Sequence, residues 1–233
     1  MNTESFKVVI PHTEGASQYF GKGTAWCTAG DTHCAFRNYD KDGPLYIIIL
    51  KGDANGKYQL HKHTMQFMNS SDEPVSIVEF FMPRPELTQL LFGSIDKMFC
   101  EIITNILAHT ENEFEDGDTI THLIENYHDK FSVNVWSALL FNGKNPDTHE
   151  DVISQINKDQ IELVIQLIPA KYSRLVESYL NVLGRECEDD NGLPASRYKL
   201  LGMAAITTFY RRDFPAELRD YADEISDKFD EIY

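Results

Sequence analysis

The spacing of apolar residues in this chain changes character at Pro83 and Pro85. Before the two prolines, short apolar runs are cut by turns rich in glycine and proline. Beyond them, apolar residues recur every three or four positions, the period of an amphipathic helix. A run of strands followed by a run of helices predicts an α+β chain. The expected architecture is an N-terminal antiparallel meander with one or two helices over residues 1–84. An all-helical acidic bundle or short α-solenoid is expected over residues 85–233.

In the first part, Leu45-Tyr46-Ile47-Ile48-Ile49-Leu50 is the clearest strand: six apolar residues, β-branched at the centre, with turn signals on both sides. Phe6–Ile10 reads as a shorter strand stopped by Pro11. The loop Lys51–Gly56 ends in Asn-Gly and returns into Lys57–His61, a hairpin signature with a longer loop. Thr64–Met68 and Val75–Phe81 read as third and fourth strands, separated by a turn from Asn69 to Pro74. Gly15–Phe20 suits a turn of helix, and Asp31 or Thr32 is a fair cap for a helix through Tyr39.

Beyond Pro85 the pattern predicts helices over 86–109, 118–140, 148–168, 170–186, 195–210 and 216–229. Asp147-x-x-Glu150 has capping-box spacing. Ile161, Val164, Ile165 and Ile168 share one face. Net charge is −16, of which residues 1–95 carry −2 and residues 96–233 carry −14. That acidity argues against contact with a phosphate backbone, which needs clustered Lys and Arg, so no direct nucleic-acid binding is expected. It suits solubility or a protein partner with a basic surface. No apolar run reaches the ~20 residues of a membrane helix. The opening residues lack the pattern of a secretory signal, and four cysteines without one read as reduced thiols. A cytoplasmic location is therefore expected, the host cytoplasm if the chain is phage-encoded.

Chemistry, if any, is expected at Gly21-Lys22-Gly23-Thr24-Ala25-Trp26-Cys27-Thr28-Ala29. A reactive cysteine benefits from a helix start, a defined groove and a base within reach. Cys27 precedes a helix, and a strand-borne His61 follows 34 residues later. Gln59, Gln66 and Asp72 are candidates to orient that histidine or hold an oxyanion. Trp26, Thr28, Tyr39 and Tyr58 are the candidate binding residues around them. The alternative is that Trp26 and Cys27 simply fill the gap between helix and sheet. A zinc set from Cys27, Cys34, His61 and His63 has the right residue types, but Cys-x6-Cys is wider than a zinc knuckle. No metal or cofactor is expected. The glycines do not match a phosphate loop, since Ala16 and Gly23 stand where the pattern needs Gly and Ser or Thr. Cys100 falls on an apolar helical stretch and reads as core. Cys187 lies in an acidic loop, where carboxylates disfavour its thiolate.

Taken together, Gly23–Ala29, Phe36, Tyr39, Gly43–Ile48, Lys57–His61, Gln66–Met68 and Asp72–Val75 resemble a set found in uncharacterised proteins of tailed bacteriophages. The resemblance covers roughly residues 18–80 and is loosely similar to the PcfJ-like proteins of mobile elements. It implies a phage or mobile-element origin and carries no activity with it. The expectation for the whole chain is an accessory protein that binds a host or phage protein through its acidic helices. The other expectation is a cysteine-dependent hydrolase or transferase-like enzyme with its site at Cys27 and His61.

Overall fold

The computed structural model describes residues 1–30, 34–108, 115–141, 156–188 and 194–210, with positions 219, 222, 223, 226 and 227 beyond them. Two units divide the chain, Met1–Gly93 and Ser94–Tyr233.

The first unit is organised by an antiparallel sheet of order β1-β2-β3-β4, with β1 Phe6–Val9, β2 Leu45–Leu50, β3 Lys57–His61 and β4 Gln66–Met68. Helices α1 (Glu14–Gly21) and α2 (Phe36–Asp42), with a 3-10 turn at Cys27–Ala29 between them, connect β1 to β2. Pairing sets the two faces. Leu45 sits opposite His61 and Ile47 opposite Gln59, whereas Ile48 sits opposite Tyr58 and Tyr46 opposite Leu60. The Gln59–His61 face meets the α1–α2 segment: Thr28 Oγ1 donates to Gln59 Oε1, and Lys57 Nζ donates to the Phe20 carbonyl. The other face stacks Tyr58 and Phe67 against Phe80 and Phe81 of α3 (Ile77–Phe81). Because both faces are covered, β2 is an unbroken apolar run rather than an alternating one.

Val75–Phe81, read from the sequence as a strand, turns helical from Ile77 to Phe81. Ser76 Oγ accepts the Glu79 N–H at 3.3 Å, so the segment opens on a side-chain cap. The Ser-x-x-Glu spacing was the available signal, and it outweighs the β-branched composition. The other four segments read as strands do form the sheet, with β1 joined to it through β2. The cap proposed at Asp31 or Thr32 falls outside the described residues; α2 begins after Ala35, with no side-chain cap.

Helix α4 (Pro85–Phe92) belongs to the first unit although its sequence reads as the start of the helical part. Thr88 Oγ1 donates to the Phe81 carbonyl at 2.6 Å and Lys62 Nζ to the Leu91 carbonyl at 2.9 Å. Gly93, at φ 81°, ends α4 in the left-handed region and breaks the expected helix 86–109 in two.

The second unit is built mainly of helices among its described residues. It contains α5 (Ile95–Ala108), α6 (Glu115–Tyr127), α7 (Val133–Leu140), α8 (Lys158–Leu167), α9 (Ser173–Glu188) and α10 (Pro194–Tyr210). The expected helix 118–140 breaks at a 3-10 turn, His128–Lys130, after which Ser132 caps α7. Ile161, Val164, Ile165 and Ile168 are fully buried, as the spacing predicts. The capping box is Asn157 with Gln160. The one expected at Asp147 and Glu150 lies outside the described residues, as does most of 216–229. Among the described residues no helix is long and apolar enough to cross a membrane.

Gly21 fixes how closely α1 approaches the Cys27 turn. A Cβ there would sit 2.5 Å from Ala29 Cβ and 3.3 Å from Trp26 Cε3. Gly21→Ala is expected to cost about 1–3 kcal/mol as overpacking. A lowered urea midpoint with unchanged slope checks this, and an unchanged midpoint speaks against a tight contact.

Candidate functional site

Burial alternates over residues 26–28, where the extended backbone of Trp26 leads into the 3-10 turn. Trp26 points inward and is 2% exposed; its indole N–H donates to the Asn69 carbonyl. Cys27 points outward and is exposed. Thr28 points inward again and is fully buried.

Beneath Cys27 lies a buried polar network centred on Thr28. Its carbonyl accepts from Ser17 Oγ at 2.7 Å and from Cys34 Sγ at 3.0 Å, while its hydroxyl donates to Gln59 Oε1. Gln18 Nε2 donates to the Gly30 carbonyl at 2.9 Å, tying α1 to the end of the turn. Satisfied buried polar groups rigidify what they hold. Thr28 and Gln59 are therefore structural supports, and neither reaches solvent to bind a ligand.

The loop after β4 completes the surroundings. Ala25 N–H donates to the Ser70 carbonyl, and Asn69 Oδ1 accepts from Ser71 N and Glu73 N, so 69–73 is a closed turn seated on Ala25 and Trp26. Asp72 adopts φ 63°, a left-handed conformation that aspartate tolerates better than most side chains. Met65, at φ 51° in the turn before β4, is the other such residue among those described.

Four side chains from separate segments meet at the surface. Cys27, Gln66 and Asp72 all lie near enough to the Tyr39 phenol to act on its titration. Burial foremost, then the neighbouring Cys27, hold the Tyr39 phenol above its ordinary range. The Gln66 amide acts in the opposite direction, and the Asp72 carboxylate adds to the rise. Tyr39 therefore keeps its proton at neutral pH.

His61 is not beside Cys27. It is 1% exposed on β3, with Nδ1 2.9 Å from Thr64 Oγ1 and Nε2 3.2 Å from the Tyr39 carbonyl. A carbonyl only accepts, so Nε2 carries the hydrogen and Nδ1 accepts from Thr64. Both nitrogens are engaged, and the ring packs edge-on against Tyr39 at 5.1 Å. The expected Cys27–His61 pair does not form: His61 is bonded to Thr64 and to the Tyr39 backbone, and Tyr39 is the group near Cys27. Tyr58 lies on the opposite face of the sheet, against Phe67 and Phe80, away from Cys27. The four residues weighed as a zinc set do not converge: Cys34 bonds the Thr28 carbonyl and His61 is engaged as above. Among the described residues no three His, Cys, Asp or Glu gather as a metal site. Cys100, on α5, is half-buried. Its thiol is pushed up to about 11 by burial and then by Asp96 and Glu101, which makes it a poor nucleophile.

Burial lowers the His61 pKa below its usual value; the Tyr39 and Gly43 backbone and Asp42 oppose this, and His63 adds to it. The unfolded chain thus binds a proton at His61 more readily than the folded one. The resulting stabilisation is fully present above the unfolded pKa of about 6.5 and is lost as pH falls through the lower folded value. Urea unfolding from pH 7.5 to 5 is expected to show this loss, and His61→Gln to flatten it. An identical pH slope in both proteins would contradict it.

Against family models, curated proteins and solved structures, this chain finds no match.

Proposed function

We propose that the first unit presents Cys27 as a thiol nucleophile for an acyl-type electrophile. The observation that supports this is an exposed Cys27 near the Tyr39 phenol, on which Gln66 and Asp72 from two further segments also act. In the proposed step, Cys27 releases its proton to solvent and Sγ bonds the carbonyl carbon. The carbonyl π pair moves onto oxygen, where the Tyr39 O–H and the Gln66 amide N–H are the available donors. Collapse expels the leaving group, which takes a proton from water, and a second water hydrolyses the thioester. No imidazole serves as base in this reading, so the donors carry the site. A phage or mobile-element origin and a cytoplasmic setting belong to the same proposal, carried by the residues of the resemblance.

Incubation with p-nitrophenyl acetate followed by peptide mass spectrometry tests it. The acetyl group is expected on Cys27 in preference to Cys34 and Cys100 and to be absent in Cys27→Ser. Gln66→Leu is expected to slow acetylation at least tenfold, given what one oxyanion donor contributes. Acetylation spread over the cysteines, or an unaffected rate in Gln66→Leu, would count against the site.

A second reading concerns the helical unit, and charge favours it: −14 of the net −16 lies beyond residue 95. Two of its ion pairs, Lys130–Asp129 and Lys158–Glu162, are exposed and close in sequence, so they add little stability. In this reading the surplus carboxylates meet a basic protein surface. A partner identified by pull-down should be basic and should be lost between low and high salt. A salt-insensitive or acidic partner would oppose the reading.

A further inference from the structure

The thiol reading leaves a buried histidine unused, and its contacts assign it another task. We infer that His61, anchored by Thr64, is a positioning residue for Tyr39, setting the reactivity of Cys27 from beneath without touching it. The inference rests on the thiol site proposed above and deepens it.

Tyr39 lies on α2, a helix of seven residues with no side-chain cap at its start. Its carbonyl accepts the Gly43 N–H at 3.2 Å, where the helix ends. His61 Nε2 reaches the same carbonyl at 3.2 Å, and the imidazole edge meets the phenol ring at 5.1 Å with an interplanar angle of 85°. One side chain on the sheet thus holds both the main chain and the ring of Tyr39. The opposite nitrogen is held in turn by Thr64 Oγ1 at 2.9 Å, which sets the tautomer and the ring orientation. An apolar residue at position 61 could fill the volume but could not make two opposed directional bonds. Since α2 is too short to be rigid alone, the placement of the Tyr39 phenol near Cys27 depends on this anchor. Gln66 is the partner of His61 across the β3–β4 ladder, so the ladder and the anchor set the Gln66 amide and the Tyr39 phenol side by side.

The test is the rate of Cys27 alkylation by iodoacetamide, read by peptide mass spectrometry on the full chain. Alkylation needs no acyl chemistry, so a failure of the positioning inference is distinguishable from a failure of the acyl-transfer reading. His61→Leu is expected to slow Cys27 about tenfold in the protein with Tyr39 and to add nothing in a Tyr39→Phe background. His61→Gln, which can donate through its amide and accept through its carbonyl, should recover most of the rate. Thr64→Val alters only an exposed turn residue, and it is expected to slow Cys27 about threefold even if His61→Leu does not fold. Equal slowing by His61→Leu in both backgrounds would reduce His61 to a packing residue. So would a His61→Gln rate as low as that of His61→Leu, or a Thr64→Val rate equal to wild type.

Discussion

Trp26→Ala is expected to destabilise the first unit by about 4 kcal/mol, within the range for truncating a buried large aromatic. Trp26 is 2% exposed and touches both sides of its setting. Gly21 approaches its ring, and the Asn69 carbonyl accepts its N–H. Truncation leaves a cavity beside α1 and strips the Asn69–Glu73 turn of the bond that ties it to residue 26. Because that turn carries Asp72, stability and site geometry should fall together. Trp26→Phe separates the two contributions, since it keeps most of the ring but loses the donor. It is expected to cost about 1–2 kcal/mol. Amide hydrogen exchange of Leu45–Leu50 is the appropriate reading, as these central-strand amides open only with the unit. Exchange as slow in Trp26→Ala as in the wild type would show that the indole is not a keystone.

Thr28→Val is the second large effect, expected at about 2–3 kcal/mol. Valine keeps the shape of threonine but lacks the hydroxyl, leaving Gln59 Oε1 buried without its donor. The cost of an unmade buried hydrogen bond exceeds the net worth of a made one. For that reason Gln59→Leu combined with Thr28→Val should cost less than the sum of the two single changes. A double-mutant cycle by urea denaturation measures the difference. Strict additivity would mean that Thr28 and Gln59 do not act as a pair.

The sheet was legible where composition and turn chemistry agreed. Leu45–Leu50 and Lys57–His61 form as their residues predict, with the Asn55-Gly56 turn between them. Val75–Phe81 misled because its β-branched and aromatic residues suit a strand, while Ser76 and Glu79 three positions apart dictate a helix start. Gly93 and the Tyr127–Phe131 segment break helices that periodicity alone runs together, because period does not register a left-handed cap or a 3-10 turn. At the site, the alternation of β3 correctly separates Tyr58 and Leu60 from Gln59 and His61. What alternation cannot give is depth. His61 and Gln59 share the face towards Cys27, yet both end below the surface, where the α1–α2 segment covers them. Tyr39, read as a binding residue, is the group near Cys27. Its placement depends on the pitch of a seven-residue helix, which no local pattern specifies.

The central claim is that Cys27 owes its chemistry to the Tyr39 hydroxyl rather than to exposure alone. The most direct measurement compares the iodoacetamide rate of Cys27 at neutral pH in the wild type and in Tyr39→Phe, with far-UV circular dichroism confirming the fold of each. Tyr39→Phe removes one oxygen and leaves the ring against His61, so packing is preserved. A fall of about tenfold is the predicted result. Equal rates in the two proteins would contradict the account and leave Cys27 an ordinary surface thiol.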